Sequence, residues 1–156
     1  MQWPHDDMQS KINFFGDPRK SGFEEVHLIN LTPSYQMFYD RHPIKTIRVN
    51  RRIAPSLILV FEEIWKECGR DQNQVNLLGL SSYGGCYNYR PIRGSRNLSN
   101  HAFGAAIDID PENNPLGAKV GKMPQLAIVA FKNQGFLWGG DYKGRKDWMH
   151  FEAVSR

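Results

Sequence analysis

Ser99-Asn100-His101-Ala102-Phe103-Gly104-Ala105-Ala106-Ile107-Asp108, followed later by Asp147-Trp148-Met149-His150, is the part of the chain that decides its reading. Two histidines and a carboxylate are ligands of the kind that hold a catalytic zinc, with one coordination position left for water. Asp147, three residues before His150, adds a second carboxylate. Gly104 lets the chain bend after His101, and Ala105 and Ala106 leave room beside a metal. From Ala105 to Asp110 the alternation predicts a strand. Its Ile107 and Ile109 would face a core, and Ala106, Asp108 and Asp110 a polar cleft. Met149 and Phe151 alternate with His150 and Glu152 in the same way, so a neighbouring strand would bring His150 to that cleft. Asp147 would lie on the turn just ahead of it, in place to accept a proton from the attacking water.

Outward from this stretch, helical spacing of Ile53, Leu57, Val60, Phe61 and Ile64 predicts a helix over 51–67, with Pro55 in its first turn and Cys68-Gly69 as its stop. A second helix is expected over 124–133, opened by Pro124 and closed before Gly135. Short strands are expected at 75–81, 87–92, 136–138 and 149–153. The first 48 residues, punctuated by Pro4, Pro18, Pro33, Pro43, Gly16 and Gly22, read as an irregular wrap with one or two short elements. The expectation is a single domain over 1–156, with 49–156 as its catalytic core. Its fold class is α+β, a small antiparallel sheet flanked by helices.

The 156 residues suit one core, and 40% hydrophobic with 23% charged residues is ordinary globular composition. The longest apolar run, Leu57 to Phe61, is far too short to cross a bilayer, so stable membrane insertion is not expected. Acidic residues at Asp6 and Asp7 stand where a signal peptide would be basic and then apolar. Cys68 and Cys86 are too few for a disulfide framework and read as reduced structural thiols. A net charge of +4 permits attraction to anionic surfaces. The basic clusters Arg48/Arg51/Arg52 and Lys143/Arg145/Lys146 come with no nucleic-acid-binding motif, and nucleic acid is not expected as a partner.

The pattern S-x-H-x₂-G-x-A-x-D … D-x-x-H resembles that of the zinc-dependent D-Ala-D-Ala carboxypeptidase / L-Ala-D-Glu endopeptidase family of peptidoglycan peptidases, and within it the single-domain bacteriophage endolysins. The resemblance runs from about Tyr83 to Glu152. It implies the zinc DD-peptidase (Hedgehog-like) fold and one Zn²⁺ per chain on His101, Asp108 and His150, with Asp147 as catalytic base. It also places Arg90, in Tyr89-Arg90, in the active site, where a guanidinium can grip a substrate carboxylate or an oxyanion. Ser99 matches the family's serine, for substrate or for orienting the ligand loop, and Trp148 is expected to touch substrate. The implied activity is hydrolysis of the peptidoglycan stem peptide, at the L-alanyl-D-glutamate bond, by a bacteriolytic endolysin. Such a monomer is made in the host cytoplasm and reaches the wall after the membrane is permeabilised. The alternative within the family is a D-alanyl-D-alanine carboxypeptidase. A rival of another class is a catalytically silent zinc-binding module, against which Asp147 speaks.

Glu152 shares a face with His150 and is the rival for the base role; a place behind His150 is its expected one. Arg93 reads as a surface salt-bridge residue. His5, His27 and His42 read as ordinary solvated or hydrogen-bonded side chains. Asp108-x-Asp110-x-Glu112 begins like a calcium loop, but Asn113 replaces the required Gly and Lys119 the closing Glu. Trp138-Gly139-Gly140-Asp141-Tyr142 is a candidate cleft wall.

Overall fold

Pairing of two strands decides the architecture, and both carry residues of the opening stretch. The computed structural model describes residues 2–156. Its N-terminal part holds α1 (Met8–Phe15), α2 (Phe23–His27), β1 (Leu28–Leu31), β2 (Met37–Tyr39), β3 (His42–Ile44) and β4 (Ile47–Asn50). Then come α3 (Ala54–Glu67), α4 (Gln72–Leu77), β5 (Tyr83–Gly85) and β6 (Ala106–Ile109). The chain ends with α5 (Gln125–Asn133), β7 (Leu137–Trp138) and β8 (His150–Glu152). The main sheet is antiparallel with strand order β5-β6-β8-β7, and the β2-β3 hairpin and the β1-β4 pair that encloses it in sequence form two small two-stranded sheets. This is the small antiparallel α+β architecture expected.

Helix α3 forms where the apolar spacing predicts it. Pro55 sits in its first turn, where no backbone bond is lost, and Leu57, Val60, Phe61 and Ile64 are buried. Helix α5 follows Pro124 and buries Ala127, Ile128, Ala130 and Phe131. It packs on α3 and against the sheet, where the Phe131 ring stacks on Phe151 with centroids 3.8 Å apart. Truncating either ring would cost about 3–5 kcal/mol, the usual range for a buried phenylalanine. Ile107 pairs across the sheet with Phe151 and both are buried, so this face of β6 and β8 is core. The alternate positions, Asp108 opposite His150 and Ala106 opposite Glu152, face the other way.

Three expectations need correction. The 75–81 segment is not a strand: it begins inside α4, nucleated by the Asp71 carboxylate, which caps the Asn73 amide at 2.9 Å. The 87–92 segment is irregular, touching sheet pairing only through an isolated Pro91–Leu98 bridge, while the paired strand lies earlier, at β5. The first 48 residues are far more regular than a wrap, with two helices and most of four strands. The end of β4 just beyond them ties α1 to the metal-motif loop. The Asn50 side-chain amide donates to the carbonyls of Phe15 and Phe103, and its backbone amide to Gly104. Gly104 has φ +65, and a Cβ there would lie 2.8 Å from the Asn50 nitrogen, so this bend requires glycine. One hydrophobic cluster runs from Trp3 to Ala153. Cys68 and Cys86 are free and buried. Among the described residues no helix is long and apolar enough to cross a membrane.

Candidate metal centre

The turn-like helix 100–103 carries His101, β6 carries Asp108 and β8 carries His150. Register places Asp108 directly opposite His150, and the bend at Gly104 swings His101 back over both. One donor atom from each lies within 4.8 Å of the others. His101 Nε2 is 3.2 Å from Asp108 Oδ2, and His150 Nδ1 is 2.9 Å from Asp108 Oδ1.

Hydrogen bonds behind the rings assign their tautomers. His101 Nδ1 lies 2.7 Å from the Cys86 carbonyl, which can only accept, so this nitrogen carries the proton. His150 stands between two carboxylates, with Nε2 3.1 Å from Glu152 Oε2 and Nδ1 2.9 Å from Asp108 Oδ1; a neutral His150 that donates to Glu152 leaves Nδ1 bare. With His101 Nε2 and the Asp108 carboxylate this makes three acceptors that can converge on a cation, and two imidazoles with one carboxylate suit zinc. The residues therefore fit the metal that the motif implies. In the metal-free protein a proton supplies the missing positive charge. Burial opposes protonation of His150, but the hydrogen bonds and charges of Asp108 and Glu152 outweigh it and push its pKa up to about 10. Burial likewise works against the Asp108 anion, yet both histidines hold its carboxyl well below the usual range.

Glu152, only 2% exposed, stands behind His150. It accepts from His150 Nε2, from the Asn100 amide at 2.8 Å, from the Tyr142 hydroxyl at 2.5 Å and from Arg156 at 2.6 Å. Despite its burial, these donors keep it ionised well below the ordinary glutamate pKa. A carboxylate so fully engaged has no lone pair left for a proton from water. Asn100 is held in turn by the buried Lys11 of α1 at 2.8 Å, itself paired with Asp6 at 2.9 Å. Asn100, Lys11 and Arg156 escape sequence reading. Asn100 fills an open position of the motif, and nothing in the pattern of α1 distinguishes Lys11 from a solvated lysine.

Asp147 differs from Glu152 in every respect. Its Oδ1 is buried and has no hydrogen-bond partner among the described residues. Its pKa is raised, first by burial and then by the charges of Asp108 and Glu152, against the pull of His150 and His101. An unpartnered carboxylate with raised basicity beside the His101–Asp108–His150 group is suited to proton transfer.

These groups line a cleft of about 350 Å³ with Arg90, Arg93, Arg145, Arg156, Ser99 and Tyr142. Arg93 thus faces the cleft with Arg90, and no carboxylate partner holds it among the described residues; its reading as a surface salt-bridge residue is corrected. Ser99 Oγ caps the ligand turn, accepting from the His101 amide at 3.2 Å. Trp148 lies outside the cleft lining. Its indole donates to the Ala118 carbonyl at 2.6 Å and its ring packs against Trp138 and over Gly121. Of the glycine-flanked aromatic segment, Tyr142 reaches the cleft and Trp138 does not. Asp110 leaves the strand with φ +51. Its carboxylate is bonded by Asn113 and packed against Gly79, away from the cleft. His5, His27 and His42 lie outside the site.

Residues 93–153 match a family model described as D-alanyl-D-alanine carboxypeptidase. The matched span contains His101, Asp108, Asp147 and His150, with Arg90 just before it. The match covers the second part of the chain, where the motif lies, and agrees with the carboxypeptidase side of the resemblance. No solved structure matches the chain.

Proposed function

We propose that the protein is a zinc-dependent peptidase that hydrolyses the stem peptide of bacterial peptidoglycan at its L-alanyl-D-glutamate bond, as a phage or prophage endolysin. The observation that carries this reading is the convergence of His101, Asp108 and His150 beside an unpartnered Asp147. His101 Nε2, Asp108 and His150 Nδ1 would hold the ion. Bound there, zinc would supply Lewis acidity towards the scissile carbonyl and make water a usable nucleophile near neutral pH. Asp147 accepts the proton of the attacking water and returns it to the leaving amine. The Cys86 carbonyl and Glu152 keep the two imidazoles in the tautomers that leave the right nitrogens bare. Arg90 and Arg93 offer planar donor forks to substrate carboxylates, which stem peptides carry in abundance.

The description of the matched family favours a second reading, a D-alanyl-D-alanine carboxypeptidase that uses the same residues. Zymography on cell walls with and without chelator tests the peptidase, and mass spectrometry of the released muropeptides identifies the bond. Clearing that survives chelator removes the metal from the account. Release of free D-alanine with no new amino terminus on D-glutamate selects the carboxypeptidase.

A further inference from the structure

A cavity of about 630 Å³ lies outside the metal cleft and takes no part in the mechanism above. Its walls are Tyr39, Asp40 and Arg41 of the β2-β3 hairpin, Ser82 to Gly84 at β5, Asn76, and Pro111-Glu112 after β6. The hairpin is bonded to this wall by the Phe38 amide, which donates to the Ser81 carbonyl at 2.8 Å. We propose that this groove binds the N-acetylhexosamine strand to which a peptidoglycan stem peptide is attached. The proposal rests on the peptidase reading and extends it to the sugar side of the substrate.

Three observations carry it. The first is the lining. Tyr39, 55% exposed, and Tyr83 present aromatic rings with centroids 6.2 Å apart. Around them stand planar or hydroxyl hydrogen-bonding groups, Asp40, Arg41, Asn76, Ser82 and Glu112. A polyhydroxylated ring with apolar faces and acetamido groups uses both kinds of surface. The groove sets one cation, Arg41, against two carboxylates, Asp40 and Glu112, so it offers no net positive charge to an anion and suits a sugar without charged groups.

The second observation is the hairpin tip. Tyr39 pairs with His42, so Asp40-Arg41 is a two-residue turn, and both residues have positive φ, +46 and +66. Such turns ordinarily place glycine at the second position. Arg41 is strained there and its side chain is 86% exposed, with only a loose 3.9 Å approach to Glu112 across the groove. The strain places a guanidinium at the groove's edge, where the fold itself does not need it.

The third is continuity with the metal cluster. Gly84 lines the groove, and a Cβ on it would lie 3.0 Å from the Cβ of Asp108. Gly85 is the register partner of Asp108. Two successive positions of β5 between groove and cleft therefore carry no side chain, and Gly85 opens onto free space, so a ligand can pass along β5. L-alanine is the stem residue joined to the sugar. The D-alanyl-D-alanine bond lies three residues further out, about 10 Å in an extended chain. A sugar seated against β5 thus brings the L-alanyl-D-glutamate bond to the metal in preference to the distal one.

Titration of the metal-free, full-length protein with chitotetraose, followed by NMR of the tyrosine rings and the backbone amides, tests this without relying on catalysis. The expected result is saturable binding with shifts at Tyr39, Tyr83 and Ser82. Tyr39→Ala should weaken it about threefold to tenfold, the range of one aromatic contact. Arg41→Gly should weaken binding while raising Tm, because glycine relieves the left-handed strain; this variant guards against a mere folding defect. No saturable binding, shifts confined to the Ser99–His101 side, or affinity unchanged in both variants overturns the proposal. Walls cleaved by an enzyme that does not bind the sugar sink the groove alone. Sugar bound by a protein that cleaves no stem peptide sinks the peptidase reading, and with it the proposal's premise.

Discussion

Replacement of Asp147 by asparagine should move activity and stability in opposite directions. The side chain is half-buried, its Oδ1 has no partner, and burial raises its pKa. Asparagine keeps the shape and the unpartnered oxygen but removes the buried charge, and for a half-exposed group that relief of desolvation is worth about 1 kcal/mol. In a protein of this length that gain corresponds to a rise in Tm of about 2–4 °C. The sign with pH follows from the direction of the shift. A carboxyl whose folded pKa lies above its unfolded value disfavours the fold once the pH exceeds the unfolded pKa of about 4. The stabilising effect of Asp147→Asn is therefore present at neutral pH and fades as the pH falls to about 4 and below. Loss of the proton acceptor should meanwhile reduce kcat by about 10²–10⁴-fold with zinc stoichiometry unchanged. Calorimetry of the metal-free variant at pH 7 and below pH 4, beside turnover of the zinc-loaded form, provides both readings. A variant that is less stable at pH 7, or that retains full turnover, would show that Asp147 is a structural carboxylate and not the base.

Other substitutions separate the remaining roles. Glu152→Gln disturbs four accepted hydrogen bonds behind His150 and should weaken zinc binding about 10–100-fold in a competition titration, unlike Asp147→Asn. His150→Ala should lower zinc occupancy and activity together. Arg90→Lys and Arg93→Ala should both reduce wall hydrolysis with zinc content intact, since both face the cleft and lysine lacks the planar fork. Phe131→Ala should destabilise the chain by about 3–5 kcal/mol in urea, through loss of its stacking on Phe151.

What could be read from the sequence was local and periodic. The 3.6-residue spacing of α3 and the alternation of Ile107-Asp108-Ile109 survive folding because each is a pattern of burial on one element. The pairing of Asp108 with His150 follows from two such alternations meeting in one sheet. Features that depend on partners far along the chain were not legible. Lys11 reads as a surface lysine of an amphipathic helix, and only the fold sets it 2.8 Å from Asn100. Trp148 sits between the proposed base and a ligand in sequence, yet the turn points its indole at Ala118. Val75 to Ser81 misled because its apolar residues suit a strand, whereas the Asp71 cap starts a helix one residue later. Arg93 was misread for a similar reason: its exposure is real, but the exposure is to the cleft.

The most direct test is mass spectrometry of purified peptidoglycan digested by the zinc-loaded protein, with the chelated protein and Asp147→Asn as controls. The account predicts stem peptides that begin with a newly freed D-glutamate amine and glycan strands that retain L-alanine, both absent from the two controls. Intact stem peptides after digestion with the zinc-loaded protein, or the same products after chelation, would contradict it.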